Sequence, residues 1–297
     1  MSTPPVLVTG ASGHLGRRVV ELLLARAAGP IIAVTRTPDK LADLAARGAT
    51  VRRADFDDPD ALAAAARGVR RALLISTDAV DRPGRRIEQH RRAIGALAAA
   101  GVPHVVYTSL PNPYPASPVA VAPDHRATEE ALAASDVGFT ILRNNLYADL
   151  LLYALPRAVA TGELVDARGA GAIAWVTRED CARAAAAAVA ATGIERRTVD
   201  VTGPAALTSA ELAAATAAVT GRPVVHRPVP LDALVAGMVA SGMPESLAQL
   251  YASFDAGTAR GDHAAVWTTV EQLAGTPPQS VRDFLTVHRA ALLGAGG

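Results

Sequence analysis

Three glycines at intervals of three residues follow a short apolar run near the start of the sequence. The segment VLVTGASGHLG, residues 6–16, places Gly10, Gly13 and Gly16 between a predicted strand and a predicted helix. Such a turn can seat a phosphate against the helix N-terminus, because backbone N–H groups point outward there. Gly10 would permit the tight turn, Gly13 the approach of a diphosphate, and Gly16 the packing of helix on strand. The alternative is a glycine-rich turn that binds nothing.

A basic residue follows the second predicted strand, at the position that selects the cofactor in dinucleotide-binding folds. A carboxylate there accepts hydrogen bonds from the ribose 2′-hydroxyl, whereas an arginine pairs with a 2′-phosphate. The sequence AVTRTPDK, residues 33–40, has Arg36 at this position and Lys40 four residues later, with no acid before Asp39. We therefore predict NADP(H). The alternative is a solvated arginine without a ligand.

Polar residues also follow the third and fourth predicted strands. The third runs into RRADFDD, and we predict that Asp55 and Phe56 lie beside an adenine ring. The fourth ends in LLIS, and we place Ser76 and Thr77 near the diphosphate and the ribose. The carboxyl ends of parallel strands share one edge of a sheet, so these groups would face one ligand.

These residues act together only if strands and helices alternate along the chain. The predicted strands are 5–9, 30–35, 49–54, 70–76, 104–109, 138–143 and 197–202. The predicted helices between them are 14–27, 39–47, 59–67, 83–100, 124–135 and 146–160. This alternation indicates right-handed βαβ units and an α/β fold with a Rossmann-type, doubly wound parallel sheet.

After the sixth predicted strand the pattern loosens. A helix is predicted to begin after Thr177, and residues 230–297 predict mostly helix. We predict an NADP-binding domain of residues 1–150, to which the strand near 197–202 returns. A smaller, mostly helical C-terminal lobe of residues 151–297 would cover the substrate.

The composition excludes several classes of protein. The chain has 297 residues with 29 basic and 28 acidic side chains, a balance that favours neither nucleic acid nor an anionic membrane as a partner. No stretch has the length and apolarity of a transmembrane helix, and the first residues lack the pattern of a secretory signal. The single cysteine, Cys181, is predicted to lie in the core and cannot form an internal disulfide. A cytoplasmic location is expected.

The ordered set of motifs resembles the NmrA-like group of atypical short-chain dehydrogenases, and within it the bacterial type 2 NAD(P)H:quinone oxidoreductases. The resemblance covers nearly the whole chain. Its motifs include VTGASGHLG, ALLIST, QHRRAIGALAAAGVPHVVYTSL, DHRATEEALAASDVGFTILRNNLYAD and VTREDCARAAAAAV.

The resemblance implies where the cofactor lies. The residues expected to contact the diphosphate are Gly10, Ala11, Ser12, Gly13, His14, Leu15 and Gly16. Arg36 and Lys40 would hold the 2′-phosphate, Ile75, Ser76 and Thr77 would line the ribose, and Thr108 could bond the nicotinamide. Residues 144–149 would close over the nicotinamide, where the candidate contacts are Asn144, Asn145 and Leu146. Helix capping is the alternative role for the two asparagines.

The catalytic equipment departs from that of ordinary short-chain dehydrogenases, which use Tyr-x-x-x-Lys. The only lysine is Lys40, so this pair is absent. Tyr153 and Arg157 have the spacing, but Pro156 lies between them and arginine stays protonated in proteins, so we interpret the spacing as chance.

His125 occupies the segment that should carry the missing pair. A lysine falls at this position in isoflavone-reductase-like relatives, and an imidazole could donate a proton to a substrate carbonyl. A surface histidine in the first turn of a helix is the alternative. Ser109 and Tyr147 are further catalytic candidates, and the histidine spacing suggests no metal site.

A site with few groups able to donate a proton favours hydride acceptors that need no general acid. Quinones accept hydride readily, so positioning does most of the work. We therefore predict an NADPH-dependent oxidoreductase acting on a quinone or quinone-like aromatic small molecule. The alternatives are a non-catalytic NADP(H) sensor of the NmrA type and a tailoring enzyme for an aromatic polyketide. A homodimer stays open.

Overall fold

The computed structural model describes residues 4–82 and 84–294 and contains one sheet of seven parallel strands. Its strands are β1 Val6–Val8, β2 Ile31–Thr35, β3 Thr50–Arg53, β4 Arg71–Leu74, β5 His104–Ser109, β6 Gly138–Asn144 and β9 Arg196–Val201. Their order is β3-β2-β1-β4-β5-β6-β9, with every neighbouring pair parallel. The strand order reverses between β1 and β4, and such a reversal opens a crevice at the carboxyl edge. The predicted Rossmann-type fold is confirmed.

Helices cover both faces of this sheet, so its inner strands are buried on both sides, while the edge strands β3 and β9 are partly exposed. One face carries α1 His14–Ala25, α2 Ala42–Ala46, α7 Arg178–Ala190 and α11 Thr269–Ala274. The other carries α3 Pro59–Ala66, α4 Arg85–Ala99 and α5 Ala122–Ala134. A 3₁₀ turn, Pro38–Leu41, precedes α2. Cys181 lies on the buried side of α7, as predicted.

Two arginines, one buried and one half-buried, fix the C-terminal end of α7 to the sheet. The guanidinium of Arg71, 1% exposed, donates to the carbonyl of Ala188 over 2.9 Å. That of Arg70 donates to the carbonyls of Ala190 and Ala191. The last carbonyls of a helix lack intrahelical partners and carry partial negative charge, so both arginines complement this end.

The remaining elements form the C-terminal lobe around a separate apolar cluster. Its strands pair as β7 Glu163–Asp166 with β11 Val225–Pro228, and β8 Ala172–Ile173 with β10 Leu207–Thr208. Its helices are α6 Leu151–Thr161, α8 Ser209–Thr220, α9 Leu231–Ala240, α10 Glu245–Ala259, α12 Val281–Val287 and α13 Arg289–Leu292. None of the helices in the described part of the chain combines the length and apolarity needed to cross a bilayer.

Four helices begin elsewhere than predicted. Helix α2 begins at Ala42, after the 3₁₀ turn, rather than at residue 39, and α4 begins at Arg85 rather than at residue 83. Helix α5 begins at Ala122 rather than at residue 124, because Pro123 fits a first helical turn, where its missing N–H costs nothing. Helix α6 begins at Leu151 rather than at residue 146. Tyr147 is extended there and forms a bridge with Val176, and a 3₁₀ turn, Ala148–Leu150, follows it.

Candidate functional site

The glycine turn between β1 and α1 leaves an open cradle beside the helix. Gly10 has φ of +60°, a backbone conformation that side chains disfavour. A Cβ on Gly16 would lie 2.3 Å from the carbonyl oxygen of Gly10, so only glycine allows the helix to approach the turn this closely. A Cβ on Gly13 would meet only that same oxygen, at 3.4 Å. This geometry agrees with the turn and packing roles expected of Gly10 and Gly16, while their contact with a diphosphate stays a prediction, and Gly13 borders open space.

The N-terminus of α1 meets this cradle without a side-chain cap. Its first backbone N–H groups are therefore available to an anion, which a helix N-terminus favours electrostatically. Ser12 accepts a hydrogen bond from Thr35 over 2.9 Å, which leaves its own hydroxyl proton available. His14 is exposed at the first helical position, whereas Ala11 and Leu15 are buried in the core.

The two basic residues predicted for the 2′-phosphate lie at the tip of β2. Arg36 and Lys40 are both exposed there. Arg17 of α1 donates to the Lys40 carbonyl and to the Asp43 carboxylate, the latter over 2.7 Å, and so fixes the segment that carries Lys40. The 2′-phosphate role of Arg36 stays a prediction.

The adenine side differs from expectation in one respect. One carboxylate oxygen of Asp55 accepts from the backbone nitrogen of Asp57 over 3.2 Å and holds the turn after β3. The ring of Phe56 packs into the core beneath β2 and is only 9% exposed. Phe56 is therefore part of the core, and its contact with adenine stays a prediction.

Three consecutive backbone N–H groups after β4 are each held by a side chain from a different element. Ile75 donates to Thr9 over 3.0 Å, and Ser76 donates to Thr108 over 3.0 Å. Thr77 donates to Nε2 of His90, again over 3.0 Å. Thr108 therefore fixes the loop that lines the predicted ribose site, a supporting role in addition to the direct contact predicted for it.

The hydroxyl of Ser109, at the end of β5, is hydrogen-bonded to an ion pair. It donates to Glu129 over 2.6 Å. Glu129 receives two hydrogen bonds from Arg143, of 3.0 and 2.6 Å. Because its proton is engaged, Ser109 can accept from a ligand but is a poor donor to one. Its predicted catalytic role is thereby limited to orientation.

Asn144 and Tyr147 lie together after β6. The Asn144 amide nitrogen donates to the Tyr147 hydroxyl over 3.3 Å, while its amide oxygen is buried without a hydrogen-bond partner among the described residues. Burial raises the pKa of Tyr147, so its phenol stays protonated. A buried acceptor without a donor is costly, and the carboxamide N–H of a nicotinamide would satisfy it.

Both amide atoms of the Asn145 side chain, unlike those of Asn144, have hydrogen-bond partners within the protein. Its amide nitrogen donates to the carbonyl of His263 over 2.9 Å, and its oxygen accepts from the backbone nitrogen of Leu146 over 2.8 Å. Leu146 itself packs against the apolar cluster of the lobe. The side chain of Asn145 therefore joins the sheet to the C-terminal lobe, and a cofactor contact is left to its backbone.

His125 is buried rather than on the surface, contrary to the structural alternative predicted for it. It is 4% exposed, and burial together with the nearby Arg86 holds its pKa well below 6.5. Nε2 lies 2.8 Å from the Arg86 guanidinium, and Nδ1 lies 2.9 Å from the Tyr107 hydroxyl. Arginine only donates, so Nε2 is the acceptor and Nδ1 carries the proton. The catalytic role of His125 stays a prediction, but neither ring nitrogen is free to protonate a substrate.

Sequence reasoning did not identify Arg86 and His90 as site residues. They lie one helical turn apart on the buried face of α4, next to Gln89, Ala93 and Leu97. A basic pair at i and i+4 among core positions is the signal that could have drawn attention to them. Tyr153, by contrast, is 79% exposed, in agreement with the interpretation of its spacing as chance.

The residues present fit a dinucleotide. The cradle at Gly13, the uncapped N-terminus of α1 and the buried oxygen of Asn144 offer an anion site and a carboxamide acceptor along one edge of the sheet. Arg36 adds a positive charge at the far end.

Comparisons with known proteins agree with this geometry. Residues 10–192 match the NAD(P)H-binding family. The chain is 37% identical over 282 residues to Quinone oxidoreductase 2 of Escherichia coli K12, which covers 95% of this chain and 97% of that protein. It is 32% identical to the NAD(P)H azoreductase of Xenophilus azovorans, over 96% and 98% of the two chains. The solved structure of the E. coli NADPH-dependent quinone oxidoreductase with NADPH superposes with a TM-score of 0.90 at 36% identity, covering 95% and 99%.

Proposed function

The chain belongs to the NAD(P)H-binding family and is an atypical, NmrA-like oxidoreductase, and from this premise we propose that it transfers hydride from NADPH to a quinone or quinone-like aromatic acceptor. The bound cofactor supplies the hydride. The names of the relatives support the acceptor class, since they refer to reduction of quinone and azo substrates.

The observation that carries the proposal is the engagement of Ser109 and His125, two of the three candidate catalytic residues. The Ser109 proton points to Glu129, and the two ring nitrogens of His125 are bound by Arg86 and Tyr107. Neither residue can protonate an acceptor before hydride arrives, as a simple ketone would need, and burial raises the pKa of the remaining candidate, Tyr147, which makes its phenol a weak acid. An electrophilic quinone is reduced by positioning alone and takes its proton from water afterwards.

Positioning falls to residues at the carboxyl edge of the sheet. The glycine turn binds the diphosphate, and Arg36 pairs with the 2′-phosphate. The amide oxygen of Asn144 accepts from the carboxamide and sets which face of the ring is presented. Thr9, Thr108 and His90 keep the intervening loop in place. Such preorganisation lowers the entropic part of the barrier.

The segment 110–123 covers the acceptor side. Asn112 donates to the carbonyl of Asp262 over 2.6 Å, and the backbone nitrogen of Ala120 donates to Ser253 of α10 over 3.0 Å. A cavity of about 90 Å³ lies beneath it, bordered by Asn112, Asn145 and Asp200. The hydrogen bonds between segment 110–123 and the C-terminal lobe support the proposal that the lobe covers the substrate and that residues 1–150 form the cofactor domain.

Steady oxidation of NADPH in the presence of a panel of quinones, azo dyes and polyketide-like aromatics tests the function. Rapid turnover with quinones is expected. Cofactor binding without turnover on any acceptor would favour the sensor alternative, and turnover on the polyketide-like aromatics alone would favour the tailoring enzyme. A cytoplasmic location, a homodimer and the absence of nucleic-acid partners stay predictions.

A further inference from the structure

Arg86 is a buried cation without a carboxylate partner among the described residues. The residue is 7% exposed and lies in the first turn of α4. One guanidinium nitrogen donates to His125 over 2.8 Å, and Nε is buried with no hydrogen-bond partner. A charge taken out of water in this way is costly unless an anion or acceptor compensates it.

The neutral partners of Arg86 cannot neutralise its charge. Nε2 of His125 accepts a hydrogen bond from the guanidinium, and the Nδ1–H group donates one to the Tyr107 hydroxyl. Asp78 and Asp124 are the carboxylates near enough to influence Arg86, but neither forms an ion pair with it. The His125–Tyr107 pair therefore holds the guanidinium in position and leaves its positive charge available.

The topology places this charge at the site. In a parallel sheet, each helix that follows a strand begins at the carboxyl edge. Arg86 begins α4 after β4, and His125 lies in the first turn of α5 after β5. Arg86 is also close enough to Tyr147, beside Asn144, for the two side chains to interact electrostatically. The charge thus lies between the ribose loop, residues 75–77, and the nicotinamide end.

We propose that Arg86 is a catalytic residue that binds the oxygen of the acceptor and stabilises the anion formed by hydride transfer. The inference rests on the proposed function. Hydride from NADPH brings two electrons and one hydrogen to the quinone, which yields NADP⁺ and the hydroquinone monoanion. A proton from water then completes the hydroquinone. A fixed guanidinium near the oxygen favours the anionic product over the neutral quinone, which is the differential binding that lowers a barrier.

Para-nitrophenol tests this without turnover, because its phenolate mimics the hydroquinone monoanion. We would titrate it into the protein with NADP⁺ present and follow the phenolate absorbance over a range of pH. The wild-type protein is expected to bind the phenolate about 10- to 100-fold more tightly than the phenol, the range of a hydrogen bond to a charged group. Arg86→Met should abolish the preference, and Arg86→Lys should keep part of it because the charge remains.

Arg92→Met is the matched control, since Arg92 lies on the same helix with its side chain 48% exposed and pairs with Asp57. It should keep the full preference for phenolate. Equal binding of phenol and phenolate by the wild-type protein, no binding of either, or an Arg86→Met protein that still prefers phenolate would each overturn the proposal. If Arg86→Met fails to fold, the wild-type and Arg86→Lys titrations decide. Absence of NADPH oxidation with every quinone would instead refute the proposed function and leave the titration interpretable.

Discussion

Thr77 and His90 are joined by a hydrogen bond that fixes both the loop after β4 and the tautomer of the histidine. The backbone nitrogen of Thr77 donates to Nε2 over 3.0 Å, so the proton lies on Nδ1, which donates to Thr128 over 2.9 Å. One imidazole therefore links the loop that lines the predicted ribose site to helix α5.

His90→Leu should loosen this loop. The variant leaves the Thr77 N–H without an acceptor, which costs about 1–3 kcal/mol, and NADPH affinity should fall because the loop no longer has one position. Hydrogen exchange at the Thr77 amide measures the loosening directly. His288→Leu, at the residue between α12 and α13, is the control and should leave that amide unchanged. Equal exchange rates at Thr77 in wild type and His90→Leu would show that the loop does not depend on the histidine.

Arg36→Ala should weaken NADPH binding by about 1.5–3 kcal/mol and leave NADH binding nearly unchanged, since only NADPH carries the 2′-phosphate. Calorimetric titration with both cofactors measures the difference. Arg47→Ala, an exposed arginine after α2, should bind both cofactors as the wild type does. Tighter binding of NADH than NADPH by the wild-type protein would contradict the assignment.

Gly13→Ala and Gly16→Ala should fail in different ways. A Cβ at position 13 contacts the protein at 3.4 Å, so the fold is kept while the methyl group enters the cradle and NADPH affinity falls. A Cβ at position 16 meets backbone at 2.3 Å, so the turn must move and the melting temperature should drop. Thermal unfolding and NADPH titration of both variants separate the effects. Normal NADPH binding by Gly13→Ala would place the diphosphate elsewhere.

Asn144→Ala and Asn145→Ala form a second matched pair. Loss of the Asn145 side chain leaves the Leu146 N–H unpaired and removes a hydrogen bond to the His263 carbonyl, which keeps its bond from the Ala174 N–H, so unfolding should become easier by about 1–3 kcal/mol. Asn144→Ala removes an oxygen with no described partner and one long hydrogen bond to Tyr147, of 3.3 Å, so stability should fall less than in Asn145→Ala while NADPH binds less tightly. Chemical denaturation and cofactor titration distinguish the two. A large stability loss in Asn144→Ala would argue that its role is structural.

Stability should fall as the pH drops from 6.5 towards 4. Burial lowers the pKa of His104 to about 4 and that of His90 to about 3, from an ordinary 6.5. Between pH 6.5 and about 4 the unfolded chain binds protons on these histidines that the folded chain does not, so acidification favours unfolding. His104→Gln should reduce the slope by up to about 1.4 kcal/mol per pH unit, measured by urea denaturation at several pH values. An unchanged slope would mean that His104 is protonated in the folded protein.

The strand and helix pattern and the glycine turn were predictable because they depend on local periodicity and on backbone geometry. The five inner strands of the sheet are mostly buried, whereas the edge strands β3 and β9 are partly exposed, and Gly16 is required by a contact six residues away in the chain. The hydrogen bond from the Ser109 hydroxyl to the Glu129–Arg143 ion pair was not predictable, because Glu129 and Arg143 lie on other elements. Likewise, nothing local distinguishes Asn144 from Asn145, yet only the second meets the carbonyl of His263.

Helix α7 and strand β9 come late in the sequence but belong to the sheet and its helical layer, so the sheet cannot finish folding until both have been synthesised. Until residue 201 has left the ribosome, β6 has an unpaired edge and the apolar face of α1 lacks the helix that packs on it. A chain that ends at residue 150 would expose Val19, Val20 and Leu142 together with that edge, a combination that promotes aggregation. The nascent chain therefore passes through a vulnerable interval of about fifty residues, during which a chaperone that shields apolar surface would have most effect.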